Sequence, residues 1–194
     1  MSQLLQNPSV TQSLARQRRP GGIGMLAAEI SAACDAADAM NERVRKALER
    51  AVADPDLLAP VHRETSAQCY ARHVLYSDPL GRFTILAIVW DAGQFSPPHA
   101  HDTWCAYAVQ EGSLRETLYS FDAASGKAKP VSSKTRDSGY SCFAGPGLEQ
   151  IHRLGNPGTS PAISIHAYGV AREHISTRVN RLLDADDCIE SARK

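Results

Sequence analysis

The sequence predicts a mainly β protein, folded as a small barrel or sandwich with helices ahead of it. Three observations lead there. Short β-branched and aromatic stretches recur between residues 70 and 168. Separators rich in Gly, Pro, Asn and Asp punctuate them, such as Asp78-Pro79-Leu80-Gly81, Gly145-Pro146-Gly147 and Asn156-Pro157-Gly158. Before Gln68 the texture differs and is rich in Ala, Glu, Arg and Leu.

Taken in order, residues 1–20 read as a loose polar lead. Gly24 to Ala53 carries apolar residues such as Met25, Leu26, Ile30, Ala33 and Val44, which predicts one or two helices ending before Pro55. Tyr70–Tyr76 and Phe83–Trp90 read as strands about the Asp78–Gly81 turn. Cys105–Val109, Arg115–Phe121, Ser141–Phe143 and Ala162–Tyr168 read as further strands, and residues 173–183 revert to a helical pattern. The expected organisation is a lead and helical segment over 1–66, a barrel over 67–172 and a helical tail over 173–194, all in one domain.

At 194 residues and 43% hydrophobic, the chain can bury a sizeable core. Its 21 basic residues balance 21 acidic ones, so electrostatics give no case for nucleic acid or an anionic membrane as partner. No apolar run approaches the roughly 20 residues of a membrane span. Met1 to Pro20 lacks the apolar centre of a signal peptide, and a cytoplasmic monomer is expected. The five cysteines are odd in number and form no Cys-x-x-Cys pair, which argues against a disulfide framework or a zinc finger. Most are expected to be buried small hydrophobes.

The chemistry is concentrated in histidines. A strand sends alternate side chains to one face. Ser164, His166 and Tyr168 would therefore form a hydroxyl–imidazole–phenol row, and His99 and His101 would share a face of another strand. Imidazole suits iron, zinc, copper and nickel. The third ligand of such a site must come from elsewhere, and His152 is the candidate, placed at the start of a late strand or in the loop before it. Alone, His-x-His also reads as a polar strand face, and the Ser164 row as an amphipathic strand with satisfied hydrogen bonds.

The context is Gly93-x5-His99-x-His101-x3-Cys105-x6-Gly112, followed by Gly139, Pro146, His152 and Asn156. These resemble the two signature motifs of the cupin family, small jelly-roll-like β-barrels that hold a metal on histidines. Cys105 stands where the first motif usually carries a glutamate, a departure that points to the thiol dioxygenases. Tyr70-Ala71-Arg72, Phe83, Val89-Trp90, Gly112-x-Leu114-x-Glu116-Thr117-Leu118, His152-Arg153 and Ser164-x-His166-x-Tyr168 are similar, in order, to cysteine dioxygenase, over most of residues 68–170.

The resemblance implies Fe(II) on His99, His101 and His152, and addition of both atoms of O2 to the sulfur of a small thiol to give a sulfinate. It implies that Ser164 holds His166 and His166 holds the Tyr168 phenol near the iron. Cys105 matches the cysteine that some members link to this tyrosine, so a thioether and a free thiol both stay open. Arg72 matches the arginine that reads the substrate carboxylate, with Tyr70 on the same face. Cysteine is therefore the first substrate expected. Trp104 and Tyr168-Gly169-Val170 look more like the 3-mercaptopropionate branch, and Arg172 or Arg178 beside the pocket would suit mercaptosuccinate. Outside this class, the alternatives are a non-catalytic ligand-sensing cupin and a zinc or manganese isomerase; the intact Ser164–His166–Tyr168 row argues against the first and the missing glutamate against the second.

Overall fold

The computed structural model describes residues 22–185 apart from residue 37. The expected polar lead, Cys188 and the end of the tail lie outside the described residues. Two helices come first, α1 (Gly22–Asp35) and α2 (Met40–Val52). Ten strands follow: β1 (Ala71–Ser77), β2 (Thr84–Trp90), β3 (His99–His101), β4 (Cys105–Glu111), β5 (Ser113–Asp122), β6 (Lys127–Asp137), β7 (Ser141–Ala144), β8 (Gly147–Gly155), β9 (Ala162–Tyr168) and β10 (Asn180–Leu182). They form two five-stranded sheets, ordered β1-β2-β9-β4-β7 and β10-β3-β8-β5-β6, with antiparallel pairing throughout. This is the small, jelly-roll-like cupin barrel, with helices ahead of it, that the sequence predicts. No helix among the described residues is long and apolar enough to cross a membrane.

The central strands of the first sheet, β2, β9 and β4, are buried on both faces, which explains the apolar run of β2 after Thr84. The sheet's outer face presents Ile85, Ala87 and Val89 of β2, Ala106 and Ala108 of β4, and Ile163, Ile165 and Ala167 of β9 to the helices. Leu26, Ile30 and Ala33 of α1 and Val44, Ala47 and Leu48 of α2 close over them at helical spacing. The alternate residues of the same strands look into the barrel. Ser164, His166 and Tyr168 are therefore backed by a packed apolar layer, which holds their strand rigid.

The β1–β2 turn is fixed by one carboxylate. Asp78 accepts from the Arg82 backbone N–H at 3.1 Å and from Arg82 Nε at 2.7 Å, while Arg82 also reaches Asp35 and Ser31 of α1. The hydrogen bond from Arg82 holds the Asp78 carboxyl below its ordinary pKa. A folded-state pKa below the unfolded value means stability present above about pH 4 and lost as pH falls through the folded value. Asp78→Asn is expected to cost about 1–2 kcal/mol at pH 7. Urea denaturation at pH 7 and pH 3 checks this: the gap from wild type should shrink at the lower pH.

Three expectations need correction. Residues 173–183 are not a helix: a 3-10 turn at Arg172–His174 leads into β10, which pairs with β3. Val179 buries itself against Leu86, Cys105 and Tyr168, and the β3 edge offers ladder hydrogen bonds, so tertiary pairing overrides the local helical preference. His152 lies in the second half of β8, not at its start. The sequence reading also missed β6, an edge strand too polar and exposed to show an apolar alternation. Of the cysteines expected to be buried, Cys69 is exposed and Cys34 and Cys142 are half-buried.

Candidate metal centre

The centre lies between the two sheets. His99 and His101 project from β3, and His152 from the neighbouring β8, where it is the register partner of His99. All three are buried, and their ligand atoms lie within 4.8 Å of one another. Ala100, between the first two, faces the opposite way into a cluster with Tyr119 and Ile151.

Hydrogen bonds on the far side of the rings fix which nitrogen faces inward. His99 Nδ1 lies 2.9 Å from the Pro97 carbonyl, and His152 Nδ1 lies 2.8 Å from Glu116 Oε1. A carbonyl and a carboxylate only accept, so both nitrogens carry the proton and both Nε2 atoms present lone pairs. His101 Nε2 comes to 3.2 Å from His152 Nε2. Burial, with neighbouring His152, lowers the His101 pKa to about 3, and the same causes lower that of His99. Three imidazole nitrogens converging on one point, two of them turned inward by their outer hydrogen bonds, form a donor set that fits a transition-metal ion.

The opposite wall comes from the first sheet. Trp90 Nε1 donates to Ser164 Oγ at 2.9 Å, Ser164 Oγ lies 2.8 Å from His166 Nε2, and His166 Nδ1 lies 3.1 Å from the Tyr168 hydroxyl. Burial drives the His166 pKa down and the Tyr168 pKa up, so both side chains are neutral. Cys105 is the register partner of Tyr168 and packs in the same buried cluster. Burial pushes the Cys105 thiol's pKa well up.

A cavity of about 20 Å³ joins these walls, lined by the three histidines, Cys105, His166 and Tyr168, with Tyr70 and Arg72 at its side. This is room for about one water. Arg72 is exposed and donates to the Ile175 carbonyl at 3.0 Å. The structure thus brings the sequence-predicted site residues to one cavity, with Ser164 behind its wall on His166. Arg172 and Arg178 do not line it. Nor do Trp104 and Gly169: the Trp104 indole lies where a Cβ on residue 169 would stand, so the two branch-like features are one packing contact. A second cavity of about 230 Å³ lies behind His101 and His152, bordered by Tyr107, Glu116, Arg136 and Tyr140.

Sequence reasoning missed the site role of Glu116. It is 4% exposed on β5, with Arg136 Nη2 of β6 at 2.7 Å from its second oxygen. Burial acts to raise its pKa, but His152 and Arg136 outweigh that and hold it below its ordinary value. The available signal was the alternation of Leu114, Glu116 and Leu118, which puts an acid among inward-facing residues.

A double-stranded β-helix domain protein of Klebsiella pneumoniae is 18% identical with a TM-score of 0.46, over 64% of this chain and 92% of its own. The TT1209 protein of Thermus thermophilus is 16% identical with a TM-score of 0.46, over 58% of this chain and 96% of its own. The family model described as cysteine dioxygenase type I matches residues 36–177, a span that includes the three histidines, the Ser164–His166–Tyr168 row and Arg72. The chain belongs to the cysteine dioxygenase type I family.

Proposed function

We propose that the protein is an iron(II)-dependent thiol dioxygenase, which adds both atoms of O2 to the sulfur of a small carboxylate-bearing thiol and yields a sulfinate, with cysteine as first substrate. The observation that carries this is the convergence of three buried imidazole nitrogens opposite a directed Ser164–His166–Tyr168 chain. His99, His101 and His152 would hold the iron. Bound iron supplies thiolate formation at neutral pH and redox chemistry with dioxygen.

The chain's own residues do the rest. Trp90 occupies a lone pair of Ser164, so the Ser164 O–H is available to donate to His166 Nε2. Neutral His166 then donates from Nδ1 to the Tyr168 oxygen, which leaves the Tyr168 O–H to point into the cavity. A donor fixed in this way can hold a substrate or oxygen atom without reorganising. The dry apolar backing of β9 keeps bulk water from competing with it.

Arg72 would exchange the Ile175 carbonyl for the substrate carboxylate. Arg72→Gln is expected to raise KM for a carboxylate thiol by about 10- to 100-fold, the equivalent of about 1.5–3 kcal/mol for a hydrogen bond to a charged group. Steady-state oxygen uptake checks this, with cysteamine, which lacks the carboxylate, expected to show no change. Among the described residues, no Asp or Glu lines the cavity to pair with the ammonium of cysteine, and this favours 3-mercaptopropionate as the second reading. Mercaptosuccinate would find no described arginine besides Arg72 there.

The test is oxygen consumption by the iron-loaded protein with cysteine, 3-mercaptopropionate and mercaptosuccinate side by side, with product mass measured. Uptake with one thiol and a gain of two oxygen atoms supports the reading. Iron held without uptake on any thiol turns it toward a ligand-sensing cupin.

A further inference from the structure

We infer that Glu116 and Arg136 are positioning residues that set the affinity and redox potential of the metal site through His152. This rests on the reading of the three histidines as metal ligands.

The three imidazoles are not equivalent on their outer sides. His152 Nδ1–H meets an ionised carboxylate, Glu116 Oε1, at 2.8 Å. His99 Nδ1–H meets a neutral carbonyl, that of Pro97, at 2.9 Å. His101 Nδ1 has no hydrogen-bond partner of proper geometry among the described residues, with the neutral Val179 carbonyl and Asn180 side chain beside it. A carboxylate behind an imidazole N–H fixes the tautomer, aims the ring and makes the other nitrogen a better donor. Of the three, His152 alone has that support.

Glu116 in turn is divided between two partners. One oxygen accepts from His152 Nδ1–H, while the other accepts from Arg136 Nε at 2.8 Å and Nη2 at 2.7 Å. The Arg136 guanidinium lies 4.1 Å from the centre of the Tyr140 ring, which holds its plane. Register explains the approach: Leu114 pairs with Arg136 across β5 and β6, so Arg136 reaches diagonally to Glu116, two residues along. Arg136 draws negative charge away from Glu116, and so moderates how strongly the carboxylate pulls on the His152 proton. The chain runs from the edge strand of the barrel to the metal ligand, and each link is charge-assisted.

Its two ends act in opposite senses. Removing the carboxylate makes His152 a poorer donor and takes a negative charge from near the metal, which disfavours the ferric form. Removing the guanidinium leaves the carboxylate unmoderated and favours the ferric form. Packing alone predicts no such opposition.

The experiment uses the full chain. Iron(II) affinity is measured by competition with a chelator, the iron(III)/iron(II) midpoint potential by spectroelectrochemistry, and Tm for each protein. Glu116→Gln, nearly isosteric, is expected to weaken iron binding by about 10- to 100-fold and to raise the potential. Arg136→Gln is expected to lower the potential, and Arg136→Lys, which restores the charge, to return it toward wild type. Lower Tm in both Gln variants with unmoved potentials, or shifts of the same sign, would overturn the inference and leave the pair a packing feature. Should Glu116→Gln fail to fold, the opposed Arg136→Gln and Arg136→Lys results decide alone. Wild-type protein that binds no iron in the titration would instead overturn the metal reading beneath it.

Discussion

Alanine at His99, His101 or His152 is expected to strip the protein of iron and of turnover together. Each substitution removes one of three converging nitrogens and leaves a two-ligand site. The loss in affinity should exceed the roughly 10- to 100-fold that outer partners of a ligand carry. The variants should differ in folding. His152→Ala also leaves Glu116 Oε1 without its donor in a buried site, so it should lower Tm more than His99→Ala, whose outer partner is only the Pro97 carbonyl. Metal analysis, Tm and oxygen uptake on the same preparations check both statements. A variant that keeps stoichiometric iron and full turnover would remove that histidine from the site.

Tyr168→Phe should leave iron content near wild type while lowering kcat by about 10²- to 10³-fold, the usual cost of one aimed hydrogen-bond donor. Phe keeps the ring stacked on His166 and packed against Leu86 and Val179, so the fold should persist. What is lost is the single O–H at the end of the Trp90–Ser164–His166 chain. His166 Nδ1–H is then left without an acceptor, at about 1–3 kcal/mol in stability. Rapid-mix turnover, iron content and thermal unfolding separate the two effects. Unchanged kcat would show that the hydroxyl takes no part in the chemistry.

Much of this was legible in the chain because the barrel's alternation is local. Ser164, His166 and Tyr168 occur at the spacing of one strand face, and the structure places them on one wall, linked by hydrogen bonds. His99 and His101 follow the same rule on β3. The β2 and β9 strands were visible through their Val, Ile and Trp content. By contrast, β6 is rich in Lys and Ser, and its pairing partner decides its state. The segment before β10 reads as helix for the same reason: nothing within it records that the edge of β3 lies nearby.

The sequence by itself determined the fold class, the cysteine dioxygenase type I family and the residue types that carry the chemistry. The fold class follows from side-chain period and turn residues, and the family from the match of its motifs to known members, both read along the chain. Only the tertiary structure decided that His99, His101 and His152 come from one sheet while Ser164, His166 and Tyr168 come from the other, facing them across the barrel. It alone excluded Arg172 and Arg178 from the cavity lining, merged Trp104 and Gly169 into one contact, and put Glu116 and Arg136 behind His152. Those relations join residues tens of positions apart. They depend on strand register and sheet closure, which no local stretch of sequence encodes.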